Sequence, residues 1–369
     1  MTGSAPRICI LSQRELEPTP VRAMTFEFED LIGRIDRAEI VAPRHSPYSR
    51  NGRRLINRLG AHTPSIGAIN PGFGRQPLQR TYDLFFAACL HPWDLLSLHA
   101  VPNWRSSCEK AICLIQEIWV EDVDRYAASL RTLDQFDHVF IEYFNSLDAV
   151  QKATQTPCSF LPPAVDTELF CPLPGDPPRF IDVYNLGRRS AETHDALVTA
   201  MERRELLYYY STVPPDRVWN PREHRLLLAN MMKRSRYSIT HPAKFNEPSC
   251  SQHEIGFRYF EGAAAGTVLV GSAPDTAAFH EHFDWIDAVV PIGASGILPT
   301  IRELDADPDR VAQIRRNGVV NSLLRHDGAH RWEAMLRSIG LEMPPGLASR
   351  KLRLEGLAEQ VDAADGRSA

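Results

Sequence analysis

Glu254, Arg258 and Glu261 are separated by four and then three residues, so a helix through them would put all three on one face. Charged groups gathered in this way can bind a polar ligand, although an exposed ion-pair stripe, adding ~0.3–0.5 kcal/mol per pair, would show the same spacing. The neighbouring residues favour the ligand. Apolar Ile255, Phe257, Phe260, Ala263 and Ala264 recur near helical spacing, Gly266 sits where a helix must end, and Val268-Leu269-Val270 reads as a buried strand. A charge on such a helix lies at the rim of an α/β sheet, where open sheets bind ligands. A second group, Gly187-Arg188-Arg189-Ser190, stands between a strand (Phe180–Leu186) and a helix (Glu192–Met201). Backbone amides at a helix start and guanidinium groups both favour an anion, so this turn reads as a phosphate cradle, although Gly-Arg-Arg turns are common and the signal alone is weak.

These groups need a scaffold. The chain has 369 residues, 43% hydrophobic and 24% charged, which predicts two globular domains rather than a disordered or fibrous protein. A net charge of -5 gives no case for nucleic-acid binding. The seven cysteines include no Cys-x-x-Cys and predict reduced thiols and a cytoplasmic setting. Ile8–Leu11 is too short an apolar run for a signal peptide or membrane span.

Ile8–Leu11, a helix around Phe26–Ile32 and Glu39–Ala42 form a β-loop-α-β opening. It lacks Gly-x-Gly-x-x-Gly, which argues against a dehydrogenase. Tyr82–Leu90, Ala111–Ile115 and His138–Tyr143 read as further parallel strands. His91 follows the first of these, at a strand end that faces a crevice. Between Ile40 and Tyr82 there are seven arginines and no acidic residue. A solvated basic surface or an anionic acceptor would each explain that interval, with Arg53 and Arg54 the acceptor-binding candidates; peripheral membrane contact stays open. Asp305, Asp307 and Asp309 suggest a metal-binding Asp-x-Asp, but their place in a Pro-containing loop reads as helix capping, so no metal site is assigned.

The stretch Phe260-Glu261-Gly262-Ala263-Ala264-Ala265-Gly266 resembles the donor-binding motif of the retaining GT-B glycosyltransferases, whose signature is a glutamate, seven residues and a second glutamate. Aligning Glu261 with the second glutamate puts His253 in the first one's place and Glu254 one residue late, so both stand as candidates. Arg258 before Phe260-Glu261 is similar to the CgeB-like subgroup. Ser159–Pro172 resembles the family's interdomain signature, with Ala164 for its usual glycine.

The resemblance implies two Rossmann-like α/β domains whose parallel sheets face each other across a cleft. We expect an acceptor-binding domain at 1–160, a linker at 161–179 held extended by prolines, a donor domain at 180–340 and a tail at 341–369. It further implies transfer of a sugar from a nucleotide-sugar to an acceptor hydroxyl, with retention, without metal and without any cofactor. In that reading Glu261 holds the ribose. Gly187, Arg188, Arg189 and Arg258 hold the diphosphate, Lys244 and His253 line the donor loop, and His91 and Glu254 are the catalytic candidates at the sugar. The rivals are a sugar-nucleotide epimerase on the same scaffold and a catalytically silent sugar-nucleotide-binding protein.

Overall fold

A computed structural model of the chain describes residues 6–45, 51, 52, 55, 56, 59, 69–211, 220–247 and 250–365. The chain divides into two compact units. The first comprises Met1–Pro162, Trp219–Pro221 and Arg331–Ala348, and the second Pro163–Val218, Arg222–His330 and Ser349–Ala369.

The first unit is built on six parallel strands: β1 (Ile8–Leu11), β2 (Ala38–Val41), β3 (Tyr82–Cys89), β4 (Cys108–Ile115), β5 (His138–Ile141) and β6 (Cys158–Phe160). Their order is β2-β1-β3-β4-β5-β6. Continuous apolar runs in β1, β3 and β4 are what a parallel sheet buried on both faces requires. Phe85 and Phe86 are fully buried, and each such side chain contributes about 1.5–3 kcal/mol. Helix α1 (Ala23–Ile35) carries the chain from β1 to β2, as the opening pattern predicts. Both sequence-expected features of this half, the Rossmann-type opening and the strands before and after His91, are present.

The second unit has five parallel strands: β7 (Ile181–Leu186), β8 (Tyr208–Ser211), β9 (Ser235–Thr240), β10 (Val268–Gly271) and β11 (Val290–Pro291). The order is β11-β10-β9-β7-β8. Between them run α2 (Ala191–Glu202), α3 (Pro221–Lys233) and α4 (Phe257–Ala264), followed by α5 (Ile297–Asp305) and α6 (Pro308–Asn321). Gly266, at φ +61°, ends α4. Its amide donates to Ala263 O (3.0 Å) and that of Thr267 to Gly262 O (3.0 Å), the Schellman pattern, which needs a left-handed residue at this position.

Three expectations change. The segment 161–179 is not extended throughout, because Asp166 accepts from Leu169 N (3.4 Å) and caps a short helix, Thr167–Phe170. Helix α7 (Gly328–Ser338) is not the last one: α8 (Pro345–Asp365) follows where a tail was expected. Pro-Pro-Gly at 344–346 reads as a loop, yet proline is well suited to a first helical turn, where its missing N–H loses nothing. Finally, α4 begins at Phe257, with Gly256 as its N-cap, so Glu254 is not on the helix with Arg258 and Glu261.

Residues from Arg331 onward in α7 return to the first unit. There Trp332 is fully buried, its ring lies 5.7 Å from that of Phe86, and its indole donates to Asp36 (3.2 Å). All seven cysteines are free thiols. Among the described residues no helix is long and apolar enough to cross a membrane.

Candidate active site

The order of the second sheet locates its crevice. The chain leaves β7 toward β8 on one side and comes back past it to β9 on the other, so the carboxyl ends of β7 and β9 diverge around a gap. Four segments of the unit end at this edge: the turn 187–190, the loop 241–256, and the first turns of α3 and α4. Gly187, Arg188, Arg189, Lys244, His253, Glu254 and Arg258 are therefore on segments of one sheet edge.

The centre of the cluster is Glu261. It is fully buried, and its two carboxylate oxygens accept from Arg225 on α3 and Arg258 on α4. Burial alone would raise its pKa; the two guanidinium charges outweigh burial and hold the carboxyl down at about 2. Arg225 is itself buried, 2% exposed, and its guanidinium lies 4.9 Å from the centroid of the Phe170 ring. The Arg258 side chain keeps 30% of its surface exposed. It acts on Tyr184 of β7, whose hydroxyl burial pushes up to about 12, and on His224, which burial and then Arg258 hold below its ordinary value. The carboxylate assigned to a ribose is thus committed to two arginines, and the cation beside it reaches solvent.

Around this centre the other predicted residues fall into two groups. Gly187 has φ +94°, and a Cβ there would meet nothing within 4 Å, so the turn presents open backbone. Arg188, about half exposed, donates to Glu247 and lies 3.4 Å from Asn246 Oδ1, both on the loop after β9. The Lys244 ammonium sits 4.0 Å from the same Glu247. Arg189 covers the Tyr210 ring at 5.1 Å. His253 is exposed, whereas Glu254 is 1% exposed and accepts from Gln252 Nε2 (2.7 Å). The carboxylate of Glu254, a catalytic candidate, is thus folded into the loop.

Two residues at the edge have no counterpart in the sequence reading. His241, directly after β9, has Nδ1 2.9 Å from Ser272 Oγ and stacks on Phe245 at 4.2 Å. Its Nε2 is buried with no hydrogen-bond partner among the described residues, and burial holds its pKa below the ordinary value. Arg225 is the other. It stands three, four and seven residues before Leu228, Ala229 and Met232, all buried, so an arginine in phase with an apolar helical stripe was its available signal.

The first sheet carries its own polar edge. His91 follows β3, with its amide donating to Asp94 Oδ2 (3.2 Å), its Nδ1 3.4 Å from Glu117 O and its ring edge-on to Trp93. Glu29 accepts from Ser12 Oγ (2.5 Å) and Arg14 (2.7 Å), and burial still pushes its pKa up to about 7. Glu142 accepts from Gln116 Nε2 (3.1 Å), and burial pushes it up to about 8 against the weaker effects of Gln116 and Arg331. Its Oε2 has no partner among the described residues. A carboxyl whose folded pKa is raised stabilises below its unfolded value, near 4.5, and loses that contribution as pH rises through about 8. Glu142→Gln is therefore expected to gain on the order of 4 kcal/mol over wild type near pH 8 and next to nothing near pH 4.5. Thermal melts across that range check it, and an equal gain at both ends would refute the buried-acid assignment.

Arg53 and Arg54, the acceptor candidates, lie outside the described residues. Within the same acid-free interval, Arg80 pairs with Glu39 (2.7 Å) and Arg44 lies 3.7 Å from Glu15. Asp307 caps α6 by accepting from Arg310 N (3.1 Å), and Asp305 accepts from Arg236 and from Tyr237 Oη (2.5 Å), which matches the capping reading of that triplet at Asp307.

Residues 210–337 match the family model described as glycosyl transferase-like. No curated protein sequence matches the chain. An α-glucosyltransferase solved with UDP and a 13-mer DNA containing a central A:G mismatch superposes with a TM-score of 0.50 at 12% identity, over 90% of this chain and 99% of its own. S. aureus MnaA, solved with UDP, gives a TM-score of 0.44 at 10% identity over 92% and 98%. A chain of the GtfA/B complex gives 0.41 at 11% identity, over 77% of this chain and 60% of its own, so the present chain spans about three fifths of that protein. The two parallel sheets and their helices are the architecture of the GT-B glycosyltransferases.

Proposed function

We propose that the protein is a glycosyltransferase that binds a nucleotide-sugar at the β7/β9 edge of its second unit. The observation that carries the reading is the Arg225–Glu261–Arg258 triad. It fixes a partly exposed guanidinium at the sheet's switch point, where an anionic ligand meets least competition. The open turn at Gly187, the arginines after it and the Nε2 of His241, which has no partner among the described residues, supply further contacts on the same edge. The match of residues 210–337 to a glycosyl transferase-like family supports the same class.

In this reading Arg188, Arg189 and Arg258 neutralise the leaving diphosphate, the work a divalent metal would otherwise do, and bring negative charge into a prepared field. Glu261 is a positioning residue: it orients Arg258 and does not itself hold the ribose. Arg188 exchanges Glu247 for phosphate when the donor enters. Of the two residues aligned with the family's first glutamate, His253 is the one whose ring reaches solvent, and we assign it the sugar hydroxyls. Retention of anomeric configuration is part of the proposal.

A panel of nucleotide-sugars, screened by thermal shift, tests it, because a ligand raises stability by RT ln(1 + [L]/Kd). One member should raise the melting temperature, and Arg258→Gln should weaken its binding about ten- to a hundredfold, as expected for losing a charged hydrogen bond. Release of the free nucleotide in the presence of an acceptor mixture then separates transfer from silent binding. Failure of every nucleotide-sugar to shift the melt would sink the assignment.

A further inference from the structure

The amino edge of the second sheet carries a different site. A cavity of about 300 Å³ lies there, between Arg179 ahead of β7, the turn at Gly266 and helix α6. Three arginines line it, Arg179, Arg315 and Arg316, against a single acid, Asp176, so the lining carries two net positive charges. Arg179 spends its donors on neutral acceptors: Nη1 on Ser235 O (2.8 Å) and Nη2 on Ala265 O (2.9 Å). Burial and then the charge of Arg315 push its pKa down to about 10. Burial lowers Arg315 as well, and its Nε is buried without a hydrogen-bond partner among the described residues. Val319 and Val361 form an apolar wall on the same cavity.

Desolvated like charges that face each other are unfavourable unless something of opposite sign sits between them. Two positive charges with an unused guanidinium donor match a dianion, and a phosphate monoester carries about -1.5 to -2 at neutral pH with three acceptor oxygens. The volume is at the small end of ligand sites, and the valines give an organic body something to cover. We propose that this cavity is a second binding site, for a small organic phosphate monoester of about sugar-phosphate size. It stands apart from the nucleotide-sugar reading, since it uses the opposite edge of the sheet and none of the residues assigned there.

Calorimetric titration of the full chain, in low-salt buffer free of phosphate and sulfate, tests the site with a hexose 6-phosphate, the neutral hexose and inorganic phosphate. The hexose phosphate should bind and the neutral hexose should not. Inorganic phosphate should bind at least about tenfold more weakly than the monoester, because it leaves the apolar wall uncovered. Arg315→Met removes the unpartnered donor and should weaken the monoester about tenfold or more. Val361→Glu is the second variant: it puts a carboxylate on the cavity wall and should abolish the monoester's binding, and because Val361 also packs beside Val319, Leu354 and Ala358 a retained cooperative melt shows that the variant is folded. The proposal is overturned if wild type binds no monoester, if both variants bind it as wild type does, or if inorganic phosphate matches the monoester in every variant.

Discussion

Glu261→Ala is expected to lower stability by about 3–5 kcal/mol, because it strands the buried charge of Arg225 without a counter-ion. The same change should weaken nucleotide-sugar binding, since Arg258 loses the carboxylate that orients it. Two controls separate these effects. Glu261→Ala combined with Arg225→Met removes both buried charges together, and should recover most of the stability, because a matched pair of buried ions contributes little net free energy. It should not recover ligand affinity, which depends on Arg258. The acid limb gives a further readout. Glu261 has its folded pKa depressed to about 2, so its contribution is complete above the unfolded value near 4.5 and is lost as pH falls toward 2. That window amounts to about 3 kcal/mol, and Glu261→Gln should flatten it. Chemical denaturation at neutral and acid pH measures each quantity. A single-variant loss below about 1 kcal/mol would mean that the triad is solvated.

The contrast between what the sequence shows and what it conceals has a physical basis. The inner runs of β3, β4 and β10, Leu84–Cys89, Ala111–Ile115 and Val268–Val270, are legible because a stretch buried on both faces has no polar positions to obscure it, whereas Glu109 and Lys110 hide the start of β4. Gly266 was legible because few residues accept its left-handed backbone. Glu254, in contrast, was read in phase with Arg258 and Glu261, and spacing alone does not say where a helix begins; Gly256 begins this one. The role of Glu261 was hidden for another reason. Its two partners come from α3 and from its own helix, and no local pattern announces a contact across 36 residues. The trace that sequence does leave is an arginine on an apolar stripe. Arg225 shows it on α3, and Arg350 shows it on α8, between Leu347 and Leu354, where both leucines are buried. An arginine in that phase predicts a buried carboxylate, though not which one.

Arg350 carries the second large effect. It is 1% exposed and reaches three acids of its unit: Asp327 through Nε (2.7 Å) and Nη2 (2.7 Å), Asp166 through Nη2 (2.6 Å) and Glu168 through Nη1 (2.8 Å). Asp327 is fully buried and also accepts from Thr167 N (3.0 Å), Thr167 Oγ1 (2.7 Å) and Ala329 N (2.8 Å). One cation therefore joins the short helix after the prolines, the start of α7 and the last helix, beside the apolar contact of Leu354 and Ala358 with Val319 and Leu323. Arg350→Met keeps the length and apolar stem but leaves Asp327 and Asp166 unneutralised, a loss of about 3–5 kcal/mol. For a unit of this size that is roughly a 10 °C fall in melting temperature. Burial would raise the Asp327 carboxyl, but Arg350 and the Thr167 and Ala329 donors hold it below its ordinary value, so the network is stable above that value and weakens as pH falls through the depressed one. Arg350→Met/Asp327→Asn should restore part of the loss, since an amide still meets Thr167. Amide exchange gives the decisive readout. In Arg350→Met, protection across 350–361 should drop before that of β9 and β10, because the helix loses its anchor while the sheet does not. Equal protection of α8 in the variant and wild type would show that the apolar stripe alone holds the helix.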